Sequence, residues 1–253
     1  MTIYEQPLHE KTRVLLRLEQ LVRRFNFHIL DDKRASSEAA LLLLLEMYNL
    51  AARLDLKSEI LKEIDRQALA VKYRQKQGEI DKESADDILE TLTRVNTKLY
   101  TLSGPLGQRL KNHGFFNVLR QRSSLPGGIN GFDIPMLQHW LNKPATARCK
   151  DLIHLVEAYR LANDAIQVIL LLIRGCSAGT EHIAKHGFFQ ATLSQRPPKQ
   201  LLRVEIADDV SYYPEISAGK QRFSVRFVEI KTLDERGKQV MEDINFKLTL
   251  CSF

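Results

Sequence analysis

Hydrophobic residues recur at every third or fourth position through most of the chain, which is the period of an α-helix with one buried face. The clearest case is the first helix, whose apolar face carries Leu15, Leu18, Val22 and Phe25. Helix starts are indicated by capping residues at Ser36 or Ser37, Asp55, Asp81 and Asp133. The pattern predicts about seven helices, the last long one ending at Gly175.

The period changes from 3.6 to 2 after the adjacent Pro197 and Pro198, because a helix does not continue through such a pair. Three later segments alternate between apolar and polar side chains and are predicted to be strands: 202–206, 222–227 and 244–250. In the second, Arg222 and Arg226 lie on the face opposite Phe223, Val225 and Phe227. The shift of phase that follows predicts a bulge near Val228.

A sheet of three strands needs a partner layer, so its apolar face is expected to pack on the helices. The predicted fold class is therefore α+β. We place an N-terminal α-helical bundle domain at residues 1–195 and a small C-terminal antiparallel β-sheet domain at residues 196–253.

Cysteine usage and hydropathy indicate a protein that stays inside the cell. Cys149, Cys176 and Cys251 are too few and too scattered for a disulfide framework, so we expect free thiols in a reducing compartment. The N-terminus has charged residues where an export signal needs apolar ones. The apolar runs at 39–45 and 168–173 are far shorter than the ~20 residues of a membrane span.

The distribution of charge is more informative than its total of +6. Residues 91–132 contain no carboxylate, but they contain six basic side chains: Arg94, Lys98, Arg109, Lys111, Arg120 and Arg122. Such local separation concentrates positive potential on one surface, which favours a negatively charged partner.

Recognisable catalytic or cofactor-binding motifs are missing from the sequence. His182 and His186 are spaced as two zinc ligands on one helical face would be, but neither an HExxH glutamate nor a third ligand accompanies them. Surface histidines are the favoured interpretation. We predict that the protein is not an enzyme and binds no cofactor and no metal.

Two rows of basic residues are candidate binding sites. Arg13, Arg17 and Arg24 fall close to one line along the first helix, where a solvated helix edge is the simpler interpretation. Lys220, Arg222 and Arg226 form a row on the second predicted strand without an acidic residue among them. Because like charges on one strand repel, either an acidic neighbouring strand or an acidic partner is expected to face this row.

Three segments resemble the ZapD family of bacterial division-ring proteins. They are PLHEKTRVLLRLE at residues 7–19, VLRQRSSLPGGINGFDIPMLQHWL at residues 118–141 and YYPEISAGKQRFSVRF at residues 212–227. The resemblance implies a cytoplasmic homodimer at the mid-cell ring. It also implies that the protein binds the C-terminal tail of the tubulin-like GTPase FtsZ and bundles FtsZ protofilaments.

The resemblance also suggests where the acidic and apolar FtsZ tail makes contact. The candidate residues are Arg222, Arg226, Lys220, Arg17, Arg53, Arg120, Arg122 and His139. Some family members carry a charged or ionisable residue where this chain has Gly114 and Gln138. We take the neighbouring His139 as the substitute for the ionisable residue at position 138.

Two questions stay open at this stage. The basic segment also fits a nucleic-acid-binding protein, for which Phe115 and Phe116 are the aromatic residues placed to stack on bases. We nevertheless predict no specific nucleic-acid partner and no membrane partner. The apolar run 168–173 fits either a dimer interface or the centre of a helical bundle.

Overall fold

The computed structural model describes residues 1–52, 55–126, 128–194, 197–232 and 234–253. Within these residues the chain forms eight helices. They are α1 (Glu10–Ile29), α2 (Arg34–Ala52), α3 (Leu56–Lys76), α4 (Lys82–Tyr100), α5 (Gln108–Lys111), α6 (Gly114–Arg122), α7 (Pro135–Leu141) and α8 (Ala145–Gly175). None of the described helices is long and apolar enough to cross a membrane.

The described residues also form eight strands in two antiparallel sheets. The strands are β1 (Thr2–Pro7), β2 (Thr180–Ala184), β3 (Phe188–Thr192), β4 (Leu201–Ile206), β5 (Tyr212–Ala218), β6 (Arg222–Glu229), β7 (Lys238–Gln239) and β8 (Ile244–Cys251). One sheet has the order β1-β4-β8-β2, and the other has the order β3-β6-β5 with β7 paired to β6.

The predicted α+β class is confirmed, but five of the described strands lie where the sequence predicted no strand: β1, β2, β3, β5 and β7. β1 pairs with β4 from the far end of the chain, with Tyr4 opposite Val204. β2 (TEHIA) and β3 (FFQAT) show no strict alternation of apolar and polar side chains. The structure has two compact units, residues 14–169 and residues 1–13 with 170–253, whereas the sequence placed the division between residues 195 and 196.

Two of the predicted helix starts are confirmed by their hydrogen bonds. The Asp55 carboxylate accepts from the backbone N–H of Ser58 at the start of α3, and Asp81 does the same with Ser84 at the start of α4. The predicted start at Ser36 or Ser37 is wrong, because α2 begins at Arg34. Asp31 lies before that helix and accepts from the Lys33 N–H and the Ser36 hydroxyl.

The helical unit contains one buried charge, Arg148 on α8, among the polar residues that the structure describes there as buried. Its Nε donates to the Ser37 hydroxyl oxygen at 3.0 Å. Its two Nη atoms donate to the carbonyls of Leu141, Lys143 and Asp32. The guanidinium therefore joins α8 to the start of α2 and to the end of α7. Its donors replace the water that those carbonyls would otherwise bind.

The β unit has its own core, in which Phe223, Val225 and Phe227 of β6 are almost fully buried. The predicted alternation of β6 is confirmed, since Arg222 and Arg226 are exposed. The predicted bulge at Val228 is wrong, because the β5–β6 register runs without a break from Ala218↔Phe223 to Tyr212↔Glu229. Val228 lies on the strand face opposite Phe227 and is buried there because the backbone of Gly237 packs against it. A Cβ added to Gly237 would lie 2.3 Å from Val228 Cγ1.

A half-buried ion cluster connects three elements of the β unit. Arg174 at the end of α8 donates from Nε and Nη2 to both oxygens of Glu5 on β1, at 2.9 and 2.8 Å. Arg203 on β4 lies 3.3 Å from the same carboxylate. The bidentate geometry fixes the orientation of β1 against the end of the helix.

The apolar run at residues 168–173 is mainly interior. Ile169, Leu170 and Ile173 are fully buried, whereas Leu171 is exposed. Of the two interpretations left open by the sequence, the central bundle helix is the one that the burial favours.

Replacing Arg148 by methionine is expected to lower the free energy of unfolding by about 3 kcal/mol or more, since each carbonyl left without a donor costs about 1–3 kcal/mol. Urea denaturation followed by circular dichroism measures the change. Arg94→Met, at an exposed position of α4, is the matched control and should change stability little. Equal stability of the two variants would contradict the importance of this buried guanidinium.

The stability contributed by the α4 cap should depend on pH. Hydrogen bonds from the backbone N–H and hydroxyl of Ser84 lower the pKa of Asp81 below 3.8. Because the folded-state pKa is the lower one, the contribution is present above pH 3.8 and is lost as pH falls through the folded-state value. Asp81→Asn retains an acceptor but does not titrate, so its deficit against wild type should shrink in acid. Asp87→Asn on the same helix is the control, and a pH-independent deficit for Asp81→Asn would contradict the prediction.

Candidate functional site

The β5–β6 hairpin presents the basic residues predicted for the second strand. Its tip is closed by a hydrogen bond from the Gly219 N–H to the Arg222 carbonyl, at 2.9 Å. Lys220 is exposed within this turn and so does not extend the strand row as the sequence suggested. Arg222 is the first residue of β6 and lies opposite Thr192 of β3. The hairpin therefore holds Arg222 and Lys220 close together at one end of the sheet.

The two arginines of β6 differ in their electrostatic environment. Arg226 lies opposite Glu215 of β5, and its Nε donates to Glu215 Oε2 at 3.1 Å. This pair answers part of the question that the sequence left open, because an acidic neighbouring strand does face Arg226. Arg222 makes no ion pair with any part of the chain that the structure describes, and it is exposed. Arg222 is thus the more available of the two.

The basic row on α1 is a solvent-exposed helix edge. Arg17 is 57% exposed and lies 4.0 Å from Glu46 of α2, at the limit of an ion pair. Arg13 pairs with Glu10 one turn earlier at 3.5 Å. Both contacts are long and exposed, so they contribute little to stability and leave the guanidinium groups accessible.

Arg120 and Arg122 lie on α6 in different surroundings. The Arg120 guanidinium is 5.6 Å from the ring centroid of Tyr48, within cation–π range. Its Nε atom is buried and has no hydrogen-bond acceptor among the described residues. Arg122 is exposed in the last turn of α6, where a cation interacts favourably with the helix dipole.

His139 lies on α7 beside a cavity of about 300 Å³. Apolar and aromatic side chains form much of its lining: Phe115, Met136, Trp140 and Leu155. Polar groups complete it: His113, His139, Lys143, Asp151 and His154. The cavity thus combines an apolar wall with several groups that are cationic or can become so.

Asp151 is the carboxylate among the described residues that line this cavity, and it is already engaged. Trp140 Nε1 donates to its Oδ2 at 3.0 Å, and Lys143 Nζ donates to the same oxygen at 3.1 Å. Burial alone would raise the pKa of Asp151, but the hydrogen bonds from Lys143 and Trp140 outweigh it and lower the pKa below its usual value. The carboxylate stays charged and holds the cavity wall in place.

The segment without carboxylates is partly neutralised from elsewhere. Arg109 pairs with Glu157 of α8 at 2.9 Å, and its Nη2 also contacts His154. Four of the five remaining basic residues of this segment are exposed, namely Arg94, Lys98, Lys111 and Arg122, and Arg120 is half-buried. The positive surface therefore exists, but with one fewer unpaired charge than the sequence indicated.

The candidate residues are distributed over both compact units. Arg17, Arg120, Arg122 and His139 belong to the helical unit, and Lys220, Arg222 and Arg226 belong to the β unit. Arg53 lies outside the described residues. Sequence reasoning missed Glu215, because β5 was not predicted as a strand. The Ala218–Gly219 turn signal between two β-rich segments could have indicated the hairpin that brings Glu215 opposite Arg226.

His182 and His186 do not share a helical face, so the zinc-site geometry considered for them does not occur. His182 is in β2, where its ring lies 4.9 Å from that of Phe189 and 5.9 Å from that of Phe246. His186 is in the following turn with φ +50°, and its N–H donates to Asp243. The described residues contain no group of three His, Cys, Asp or Glu side chains that could hold a metal ion.

The aromatic residues proposed for base stacking are engaged in packing. Phe116 is fully buried, and its ring meets the edge of Tyr48 at 5.3 Å. Phe115 faces Trp140 at 5.6 Å in the wall of the His139 cavity. A stacking platform for single-stranded nucleic acid needs exposed rings, so this arrangement does not favour that alternative.

Comparison with known proteins identifies what the chain resembles as a whole. The model of the ZapD family, described as "Cell division protein", matches residues 16–226. "Cell division protein ZapD" of Chromobacterium violaceum is 33% identical over 253 residues, covering 100% of both chains.

Two further relatives carry the same name. That of Ralstonia nicotianae is 35% identical and covers 100% of both chains, and that of Coxiella burnetii is 32% identical and covers 98% of this chain and 96% of its own. These matches confirm the resemblance drawn from the three segments, and the chain belongs to the ZapD family.

Proposed function

We propose that this protein binds the C-terminal tail of FtsZ and, as a homodimer, cross-links FtsZ protofilaments during assembly of the division ring. Family membership supports a role in cell division. The observation that carries the binding proposal is Arg222, an exposed arginine without an ion pair among the described residues, held at the end of a strand whose other face is packed.

Arginine is suited to a partner that carries carboxylates. Its planar guanidinium can pair with both oxygens of one carboxylate, which gives orientation as well as affinity. Arg222 can do so directly. Arg226 must first release Glu215, but an exposed pair of this kind contributes only about 0–1 kcal/mol, so the exchange costs little.

The FtsZ tail is expected to contain apolar as well as acidic residues, and the helical unit offers a place for both. The cavity beside His139 has an apolar wall formed by Phe115, Met136 and Trp140. A cavity of this kind can bury an apolar side chain while nearby cations meet adjacent carboxylates. Arg120, Arg122 and Arg17 are the basic residues of the helical unit that we assign to the same partner.

Bundling needs at least two binding sites on each particle. A dimer with two-fold symmetry supplies two equivalent sites, and linked sites bind a filament array with higher avidity than either site alone. The proposed role requires no catalysis and no cofactor. Its place of action is the cytoplasm at mid-cell, where the proposed partner assembles.

Charge reversal on β6 is the direct test of tail binding. Arg222→Glu combined with Arg226→Glu should lower affinity for FtsZ by about tenfold or more, since charge-assisted hydrogen bonds are replaced by repulsion. Glu215→Gln should have the opposite effect, because it frees Arg226. Co-sedimentation with polymerised FtsZ, with and without its C-terminal tail, measures both changes.

Lys231→Glu, an exposed change outside the hairpin, is the control for net charge. The double variant should keep a cooperative thermal transition, because the apolar face of β6 is untouched. If the double variant binds as well as wild type, the tail-binding site lies at Arg17 or Arg120 instead. Binding to FtsZ that lacks its tail would contradict the proposal.

Bundling should weaken as salt increases. A contact between exposed arginines and carboxylates is screened when the Debye length falls from about 10 Å at 0.1 M to about 3 Å at 1 M. Light scattering of FtsZ mixtures measures bundling, and FtsZ alone at each salt concentration corrects for effects on filament assembly. Bundling that does not change with salt would indicate apolar docking instead.

A further inference from the structure

One face of α8 between Lys150 and Asp164 is turned to solvent, although the opposite face forms the centre of the helical unit. At 100° per residue, the residues of this face lie within roughly 60° on either side of Glu157. They are Lys150, Ile153, His154, Glu157, Arg160, Leu161 and Asp164. All are exposed except Leu161, which is half-buried. We call this set the α8 stripe.

The α8 stripe borders hollows and exposed apolar groups. A cavity of about 590 Å³ is lined by stripe residues along its whole length. A second cavity of about 420 Å³ joins Lys150 and Ile153 to Leu30 at the end of α1. Leu30 is 87% exposed and Ile153 is 40% exposed. Large apolar side chains grouped beside a concave surface are typical of an interaction site.

The order of the outer charged residues and of the apolar residues in the stripe is self-complementary, whereas Glu157 faces its own copy and Arg160 faces His154. Lys150 lies seven residues before Glu157 and Asp164 lies seven residues after it. Ile153 and Leu161 lie four residues before and after it. Two such helices can pair antiparallel about a two-fold axis at Glu157. A residue that lies a given number of positions before Glu157 then faces, in the second copy, the residue that lies the same number of positions after Glu157.

That pairing places Lys150 against Asp164 of the second copy, and Ile153 against its Leu161. Both contacts occur twice by symmetry, as in any isologous interface. The interface would thus contain two ion pairs at its ends and two apolar contacts nearer its centre. This matches the usual arrangement of a less polar core and a charged rim.

Glu157 would meet its own copy at the axis, which is unfavourable unless the charge is balanced. Arg109 already pairs with Glu157 at 2.9 Å within each chain. Arg160 lies one turn further along, so the Arg160 of the second copy is also close to Glu157. The carboxylates at the axis are therefore accompanied by cations.

We propose that the α8 stripe is the surface through which two copies of this chain dimerise. The inference rests on the homodimer of the proposed function. His154 also lines the cavity beside His139, but the pairs that carry the inference, Lys150 with Asp164 and Ile153 with Leu161, are not assigned to tail binding. The occupant is a second copy because the outer charges of the stripe, Lys150 and Asp164, and its apolar residues, Ile153 and Leu161, match in reversed order. A surface that binds an acidic peptide is not expected to show this match.

Complementary charge variants test the proposal. Lys150→Glu places one carboxylate against each Asp164, and Asp164→Lys places an ammonium group against each Lys150. Each variant alone should raise the dimer dissociation constant by about tenfold or more in sedimentation equilibrium, equal to ~1.4 kcal/mol. The double variant, K150E with D164K, should recover the dimer, because the pairs are restored in the opposite sense.

Mixing the two single variants gives a sharper result. A chain with K150E and a chain with D164K have complementary charges at both ends of the interface, so heterodimers should form where neither homodimer does. Lys72→Glu and Asp87→Lys, exposed changes on α3 and α4, are the matched controls and should not alter dimerisation. Circular dichroism confirms that each variant remains folded.

The proposal is overturned if both single variants dimerise like wild type, if mixing them restores no dimer, or if the wild-type chain is monomeric at high micromolar concentration. Its failure is separable from failure of the proposed function. A synthetic FtsZ tail peptide should bind the dissociated variants as it binds wild type, and bundling should be lost with the dimer.

Discussion

The helical unit depends on a buried charge that has no carboxylate partner among the residues that the structure describes. Arg148 is surrounded by carbonyl oxygens of Asp32, Leu141 and Lys143 rather than by a carboxylate. The carbonyls of Asp32 and Lys143 lie in connections between helices, and that of Leu141 belongs to the last residue of α7, so each needs a donor from outside its own helix. One planar guanidinium supplies the donors in fixed directions, and this determines where α2, α7 and α8 begin or end relative to one another. The cavity beside His139 and the α8 stripe both lie on elements oriented in this way.

The elements that the sequence predicted well are those whose evidence is local. The apolar period of α1 and the caps at Asp55 and Asp81 require only neighbouring residues, and the structure confirms them. β1 required a partner about 200 residues away, and its own six residues give no clear alternation. Ser37 was a plausible cap by residue type, but its hydroxyl faces Arg148, a contact that only the folded chain reveals.

The same distinction separates the predicted and unpredicted parts of the candidate site. The exposed face of β6 followed from alternation, so Arg222 and Arg226 were placed correctly on the side away from the core. The neutralising partners were not predicted. Glu157 reaches Arg109 only through helix packing, and Glu215 reaches Arg226 through the pairing of β5, a strand that the sequence analysis did not identify. Phe116 was counted as available for stacking because its burial depends on Tyr48, which is distant in sequence.

The Glu215–Arg226 pair has a kinetic consequence for any acidic ligand of this face. Glu215 is held beside Arg226, so it competes with a ligand carboxylate at high effective concentration. When the ligand dissociates, Glu215 re-forms its pair with Arg226 at once. An exposed pair of about 0–1 kcal/mol reduces the affinity of such a ligand by no more than about fivefold, and it favours brief encounters. A cross-linker whose single contacts are brief holds filaments through their number, and it permits a bundle to lose or exchange individual filaments without being dismantled.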